Sequence, residues 1–485
     1  MTSSGAKRSA RSHVLGGLLV VVCGAAVIAC RAAPRLDDGA KNLRIVQHVM
    51  HDEALILERV WAMVERRDLY HSVGVYPGLY PYAVAAVRAA VGPDVETSVR
   101  ATRALSLISM ILAMLATYFG FAYASGSPPA AAVFCLALSL HPETALWAAR
   151  VHPDALLVLF DHGSLALLGL YVVRRSKWLL AGATVLAGLS AGTKLVGAFI
   201  MVIIAGTILI EDRRDLPRAI RRVILHGLLF LAVFTMVNPL LVLSPRGTIQ
   251  GFVTQNQRNR HDGAGRGAWL GVLLGARGLG WSGAFLVVVG IWRLVTAKLT
   301  IGLRPIAAFG LFYLGYAVTT VSLAMPRYAM PGMWPLLFVG VAALFDPTWS
   351  VRARWMLGAI ATLVFAAKDF PMMSDEVVLD SQVVERNFTE PKVRVGELLS
   401  KLGAGRSGSV VSSYYVYVPP ELPWKPIWSL RTENIADDAV VVVIDGALRD
   451  VADAEYQSLV SGGLGFAATA TVGEFVVFLK APDTP

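Results

Sequence analysis

Charge is what this sequence has little of. Only 16% of its 485 residues are Asp, Glu, Lys or Arg, against about 25% in soluble domains. Hydrophobic residues make up 55%, and the mean hydropathy is +0.58. That balance excludes an ordinary soluble globular chain and implies a polytopic membrane protein. Cysteine is scarce too. Cys23, Cys30 and Cys135 all lie in apolar stretches, which excludes a disulfide framework and a CxxC metal site. Acids are fewer than bases, 34 against 44, leaving a net charge of +10. In a soluble chain that excess would suggest nucleic acid. Here the basic residues gather in short loops between apolar segments, so they speak of membrane orientation and against a nucleic-acid partner.

The apolar segments set the architecture. Lys7, Arg8 and Arg11 precede a first span at about 14–30 and hold that end in the cytoplasm. Residues 31–98 then form a large first extracytoplasmic loop. Further spans fall at about 101–124, 129–140, 155–173, 178–192, 195–210, 223–243, 281–297, 305–323, 333–345 and 355–367. With about 20 apolar residues needed per crossing and short ones tolerated, the sum is about eleven transmembrane helices. The N-terminus, 174–177 and 211–222 are basic, as are the loops holding Lys298 with Arg304 and Arg352 with Arg354, and alternation puts all of them on one side. The expected topology is N-terminus cytoplasmic, C-terminus extracytoplasmic. Val27-Ile28-Ala29-Cys30 resembles a lipoprotein cleavage site, with a plain membrane cysteine as the alternative; either leaves the next loop outside. High Ala, Gly and Arg usage suggests a bacterial inner membrane.

From residue 368 polar residues return. A helical stretch at 392–401 is followed by a strand-like run at 409–418 and an apolar strand at 439–446. A helix at 451–460 then precedes a hairpin with Gly473 near its turn and FVVFL as last strand. The division is therefore 1–367, transmembrane, and 368–485, a small extracytoplasmic α/β domain. Asn387-Phe388-Thr389 fits a glycosylation sequon by pattern.

Candidate chemistry lies at the outer face. Asp52 and Glu53 open an amphipathic segment, followed by the turn Tyr76-Pro77-Gly78-Leu79-Tyr80-Pro81. Glu143 and Asp154 lie in or beside the loop HPETALWAARVHPD. Acids that border apolar helices are costly unless used or paired; facing water is the plain alternative, strongest for Glu53 and Glu143. His141 and His152 stand beside the second acid pair, so a divalent metal is conceivable. No fixed spacing such as HExxH appears, no metal ligand is assigned, and the cofactor stays open. Lys194 and Arg327 sit at outer ends of spans. They can snorkel to lipid headgroups or hold a lipid phosphate, Arg as a planar fork and Lys as a point charge.

The order of these stretches carries a resemblance. An acid pair in the first outer loop, a helix and YPGLYP are followed by HPDALLVLF, GLSAGTKLVGAF and PRYAMPGMWPLL. Over roughly residues 14–345 this resembles the GT-C superfamily of membrane glycosyltransferases. The nearer branch includes dolichyl-phosphate-mannose protein mannosyltransferases and bacterial aminoarabinose and lipopolysaccharide-core transferases. The resemblance implies a polyprenyl-phosphate sugar donor, a glycan, lipid or protein acceptor, and inverting transfer at the outer face. It implies Asp52 as general base, and Asp154 as the second acidic motif, orienting the acceptor or a metal. Lys194 and Arg327 would hold phosphate, while Glu53, Tyr76, Tyr80 and His152 would line the substrate site. Two departures stand out. Residues 31–50, with Asp37 and Asp38, intervene before Asp52, so Asp38 competes as base, and Gly78 replaces the family's second proline. A lipid or solute transporter or flippase is the rival from another class, although internal repeats of the kind transporters carry are lacking. A structural protein presenting the C-terminal domain is a third.

Overall fold

The architecture is taken from a computed structural model. It describes residues 3–37, 51–69, 76–261, 267–275, 277–296, 298–321, 324–346, 348–367, 391–403, 407–413, 416–419, 421–427, 438–444 and 453–481, with 40, 43, 46, 430 and 435. Asp38 and the 387–389 sequon lie outside the described residues. The chain forms two compact units, Met1–Leu36 with Arg59–Ser374, and Asp37–Glu58 with Asp375–Pro485.

The larger unit is helical. Among the described residues five helices are long and apolar enough to cross a membrane: Gly17–Asp37, Val95–Ser125, Asp154–Arg174, Leu216–Met236 and Ile301–Thr320. The pair Pro128–Leu140 and Pro142–Ala148, bent by 68°, passes the same test only when taken together, as one broken span or a re-entrant loop. Leu79–Val91, Leu195–Glu211 and Gly280–Val295 are shorter apolar helices. By length and composition the count among the described residues is five, or six with the bent pair as one span; three of the other expected segments form helices of 13 to 17 residues, Lys177–Thr193, Phe199–Glu211 and Gly280–Val295. At 1.5 Å per residue such helices are roughly 20–25 Å long, short of the ~30 Å hydrocarbon core. Lipid contact is plainest on Leu216–Met236. Ile220, Ile224, Leu225, Leu228 and Leu231 on it are exposed, and only Ala219 and Val233 are buried. In water so large an apolar face would aggregate; in hydrocarbon it is the native surface.

Helix directions follow from side-chain partners. Thr117 meets His162 at 2.7 Å, and a Cβ on Gly120 would run into Ala166 and one on Gly169 into Ala124. Val95–Ser125 and Asp154–Arg174 therefore run side by side in the same direction, and the bent pair between them returns the chain. Lys177–Thr193 runs the opposite way along Asp154–Arg174. The hydroxyl of Ser164 donates to the Ala183 carbonyl at 2.7 Å, Ser190 donates to Asp161, and Lys194 reaches Asp154. One end of this three-helix face carries Asp154 and Lys194. The other carries Ser125 and Arg174, with Tyr171, Glu211, Asp212 and Arg222 in an ion-paired network.

In the smaller unit the sheet order is β2-β1-β3-β5-β4, built from β1 (Ser409–Ser413), β2 (Trp424–Ile427), β3 (Ala439–Ile444), β4 (Phe466–Val472) and β5 (Phe475–Lys480). β1 pairs in parallel with β2 and β3, and β5 is antiparallel to β3 and β4. Alternation sends Val441, Val443 and Val477 to one face under Val395 and Leu399 of the Lys392–Gly403 helix. Val442, Ile444 and Phe478 go to the other, under Leu459 of Asp453–Val460. A strand with both faces covered reads as the continuous apolar run AVVVVI. Gly473 closes the β4–β5 hairpin with φ +61°, where a side chain would be strained. The expected α/β domain is present.

Candidate functional site

Two prolines shape the loop that carries the site. Helix Pro128–Leu140 stops at His141, which is extended (φ −64°, ψ 131°), as the residue before proline must be. Pro142 then starts the seven-residue helix Pro142–Ala148. Its cap is unusual: His141 Nδ1 accepts from the Glu143 N–H at 3.3 Å. Arg31 Nη1 donates to the carbonyls of Ser139 and Leu140, both at 3.0 Å, which satisfies the helix end at the bend. One turn on, Trp147 Nε1 donates to Glu143 Oε2 at 2.7 Å, an i,i+4 pair on one helix face. Pro153 precedes Asp154, which falls in the first turn of Asp154–Arg174, where the helix dipole favours a carboxylate.

Lys194 comes from a helix break. Helix Lys177–Thr193 ends there, Lys194 is extended (φ −153°), and a short 3-10 turn, Leu195–Ala198, follows. Gly197 packs so closely on Ser190 that any Cβ would run into the Ser190 hydroxyl. The glycine thus permits the fold-back that aims Lys194 at Asp154. Arg327 stands in the first turn of Pro326–Leu344, after the extended Met325 and Pro326.

These elements bring together five of the residues singled out from sequence. Lys194 Nζ donates to Asp154 Oδ1 at 2.8 Å, and His152 Nδ1 lies 3.0 Å from Asp154 Oδ2. The hydroxyl of Tyr76 meets His152 Nε2 at 3.1 Å. Both contacts suit one tautomer, with the proton on Nδ1 facing the carboxylate and the Nε2 lone pair accepting from Tyr76. Burial, reinforced by the Arg327 and Lys194 charges, lowers the His152 pKa from its ordinary 6.5, while Asp154 opposes the shift. The imidazole is therefore neutral near pH 7. Arg327 lies 5.4 Å from the Trp147 ring centre and 5.0 Å from that of Tyr328. Lys194 Nζ is 5.1 Å from the same Tyr328 ring. Two cations thus flank one tyrosine beside a buried carboxylate, a cationic patch fit for an anionic oxygen.

The other candidates are placed differently. Glu143 is buried, with Arg277 at 3.6 Å from its second oxygen. His141 stays at the bend, 3.5 Å from the Gly278 carbonyl. Tyr80 is buried in the first turn of Leu79–Val91. Asp52 and Glu53 open helix His51–Arg66, half-buried and buried respectively; they belong to the second unit. Among the described residues no group of three or more His, Cys, Asp or Glu converges as a metal site. Lys194 takes one Asp154 oxygen, and the His152 imidazole stands 3.0 Å from the other. Sequence reasoning missed Trp147, which touches His152 (ring centres 4.8 Å apart), Glu143 and Arg327. Its only signal was the i,i+4 spacing from Glu143.

A helical bundle with apolar spans and a small α/β unit together make a known fold. Solved structures share it. ArnT from Cupriavidus metallidurans bound to undecaprenyl phosphate matches with TM-score 0.60 and 14% identity, over 96% of this chain and 99% of that one. Its apo state matches at 0.59 and 15%, over 97% and 99%. Archaeal oligosaccharyltransferase AglB from Archaeoglobus fulgidus, in complex with an inhibitory peptide and a dolichol-phosphate, matches at 0.54 and 10%, over 97% and 75%. By sequence, no family model and no curated protein matches.

Proposed function

We propose that this protein is an inverting glycosyltransferase that moves a sugar from a polyprenyl-phosphate donor to a cell-envelope acceptor at the outer membrane face. The observation that carries the reading is the buried Asp154–Lys194 pair with Arg327 beside it, at one end of a bundle of this fold. Two of the solved neighbours hold lipid phosphates, undecaprenyl phosphate in one and a dolichol-phosphate in the other, the ligand class such cations suit.

In the proposed reaction Asp52 takes the proton of an acceptor hydroxyl. The acceptor oxygen bonds to the anomeric carbon, and the bond from that carbon to the phosphate oxygen breaks. The electron pair leaves with the phosphate, and the anomeric configuration inverts. General-base help is worth typically 10²–10⁴-fold. Negative charge gathers on phosphate as the bond breaks, so Lys194 and Arg327 act where charge develops. Asp154, held by Lys194 and His152, positions the ammonium. Tyr76 fixes the imidazole from its far side. The acceptor, whether glycan, lipid or protein, is open.

The test is transfer of labelled sugar from polyprenyl-phosphate donors in membranes, comparing wild type, Asp52→Asn and Lys194→Met. Wild-type turnover that falls at least 100-fold in Asp52→Asn, at equal protein level, is expected. An unimpaired Asp52→Asn would remove Asp52 as base. Donor binding without turnover by any acceptor would favour the transporter class.

A further inference from the structure

At the end of the bundle opposite Asp154 lies a cavity of about 610 Å³. It is walled by the turn after Val95–Ser125, the 298–303 stretch and the start of the 351–367 helix. The parallel run of Val95–Ser125 and Asp154–Arg174 places it about 30 Å from Asp154, the length of a 21-residue helix. It is therefore separate from the site above.

Its lining has two characters. Tyr123, Leu303, Phe345 and Trp355 make apolar walls, and Lys298 and Arg354 supply positive charge. Lys298 is exposed, with Nζ 5.7 Å from the Trp292 ring centre. Arg354 is half-buried, and its Nε is buried with no acceptor among the described residues. A guanidinium N–H in that position is costly unless a ligand or water takes it. The one acid in the wall is already used. Asp346 pairs with Arg293, whose Nε lies 3.1 Å away, and accepts the Thr348 N–H at 2.8 Å. The cavity thus has uncompensated positive charge beside a greasy wall.

We propose that this cavity binds an anionic glycerophospholipid, with the phosphate on Arg354 and Lys298 and acyl chain along Tyr123, Phe345 and Trp355. Charge complementarity selects the occupant. With Asp346 neutralised, no acid among the described lining residues remains to receive the ammonium of a zwitterionic headgroup, so an anionic lipid fits better.

The experiment is native mass spectrometry of the full-length protein released from micelles doped with phosphatidylglycerol or phosphatidylcholine. Wild type should retain phosphatidylglycerol severalfold over phosphatidylcholine. Arg354→Gln should cut that retention by roughly tenfold, the loss of one charge-assisted contact. Lys298→Gln, at an exposed position, keeps the fold and should give a smaller loss. Arg352→Gln, on the same segment but outside the cavity lining, should change nothing. Equal loss in all three variants would reduce the effect to general surface charge and overturn the site. Unchanged retention in Arg354→Gln would overturn it too, as would retention of inorganic phosphate with no lipid preference. Sugar transfer should be unaffected in Lys298→Gln.

Discussion

Asp154 is 2% exposed; Lys194 pairs with one of its oxygens, and the His152 imidazole lies 3.0 Å from the other. Removing one member of a buried pair leaves an uncompensated charge and costs about 3–5 kcal/mol. Lys194→Met should destabilise the purified protein by that order in thermal or denaturant unfolding, where a snorkelling lysine would cost almost nothing. Lys194→Met combined with Asp154→Leu should regain most of the stability and none of the transfer. A double variant as unstable as the single would show that the pair is not what matters. His152 gives a pH signature. Its folded pKa lies below the unfolded 6.5, so on acidification the unfolded chain binds the proton first. Stability is therefore lost as pH falls from about 6.5 toward the lower folded value. His152→Gln should flatten that part of the stability profile, below about pH 7; an unchanged slope would assign it to other groups. The HPD tripeptide made His152 and Asp154 visible in the sequence. The partnership with Lys194, forty positions away, was not, because it depends on the antiparallel register of two helices.

That register is itself set by small residues. Gly120 lets Val95–Ser125 touch Asp154–Arg174, since a Cβ there would run into Ala166. Close approach over glycine is how helices pack where no water drives them together. Gly120→Val should lower stability by about 1–3 kcal/mol through overpacking. Gly206→Ala, where a Cβ meets nothing within 4 Å, should be neutral or up to about 1 kcal/mol stabilising. Thermal unfolding of both in one detergent decides this, and equal effects would remove the close-packing account. Elements were largely legible. The helix opened by Asp52 and Glu53, the hairpin at Gly473 and the apolar strand at 439–444 all lie where periodicity puts them. The bend at His141–Pro142 was not foreseen. A short helix of seven residues has too little periodicity to show against a polar loop, although proline marked where it begins.

At the scale of the whole molecule, hydropathy was enough to find a helical membrane bundle followed by an α/β unit. It could not count full crossings, because a short apolar helix packed inside the bundle and one that spans lipid have the same composition. Sidedness rests on the basic loops alone, and it has a direct test that this chain makes easy. Only Cys23, Cys30 and Cys135 need replacing to give a background without thiols. Arg213 is exposed in the most basic loop, and Thr469 is exposed on β4 of the smaller unit. If lysine and arginine hold their loops in the cytoplasm, a lone cysteine from Arg213→Cys should react with an impermeant maleimide only after the cells are opened. One from Thr469→Cys should react from outside in intact cells whose outer barrier has been permeabilised. The proposed transfer draws its donor and acceptor from the outer face, the face that Thr469 reports. The reverse labelling pattern would put the smaller unit in the cytoplasm and end the outward-facing reading, whatever Asp52 and Asp154 do.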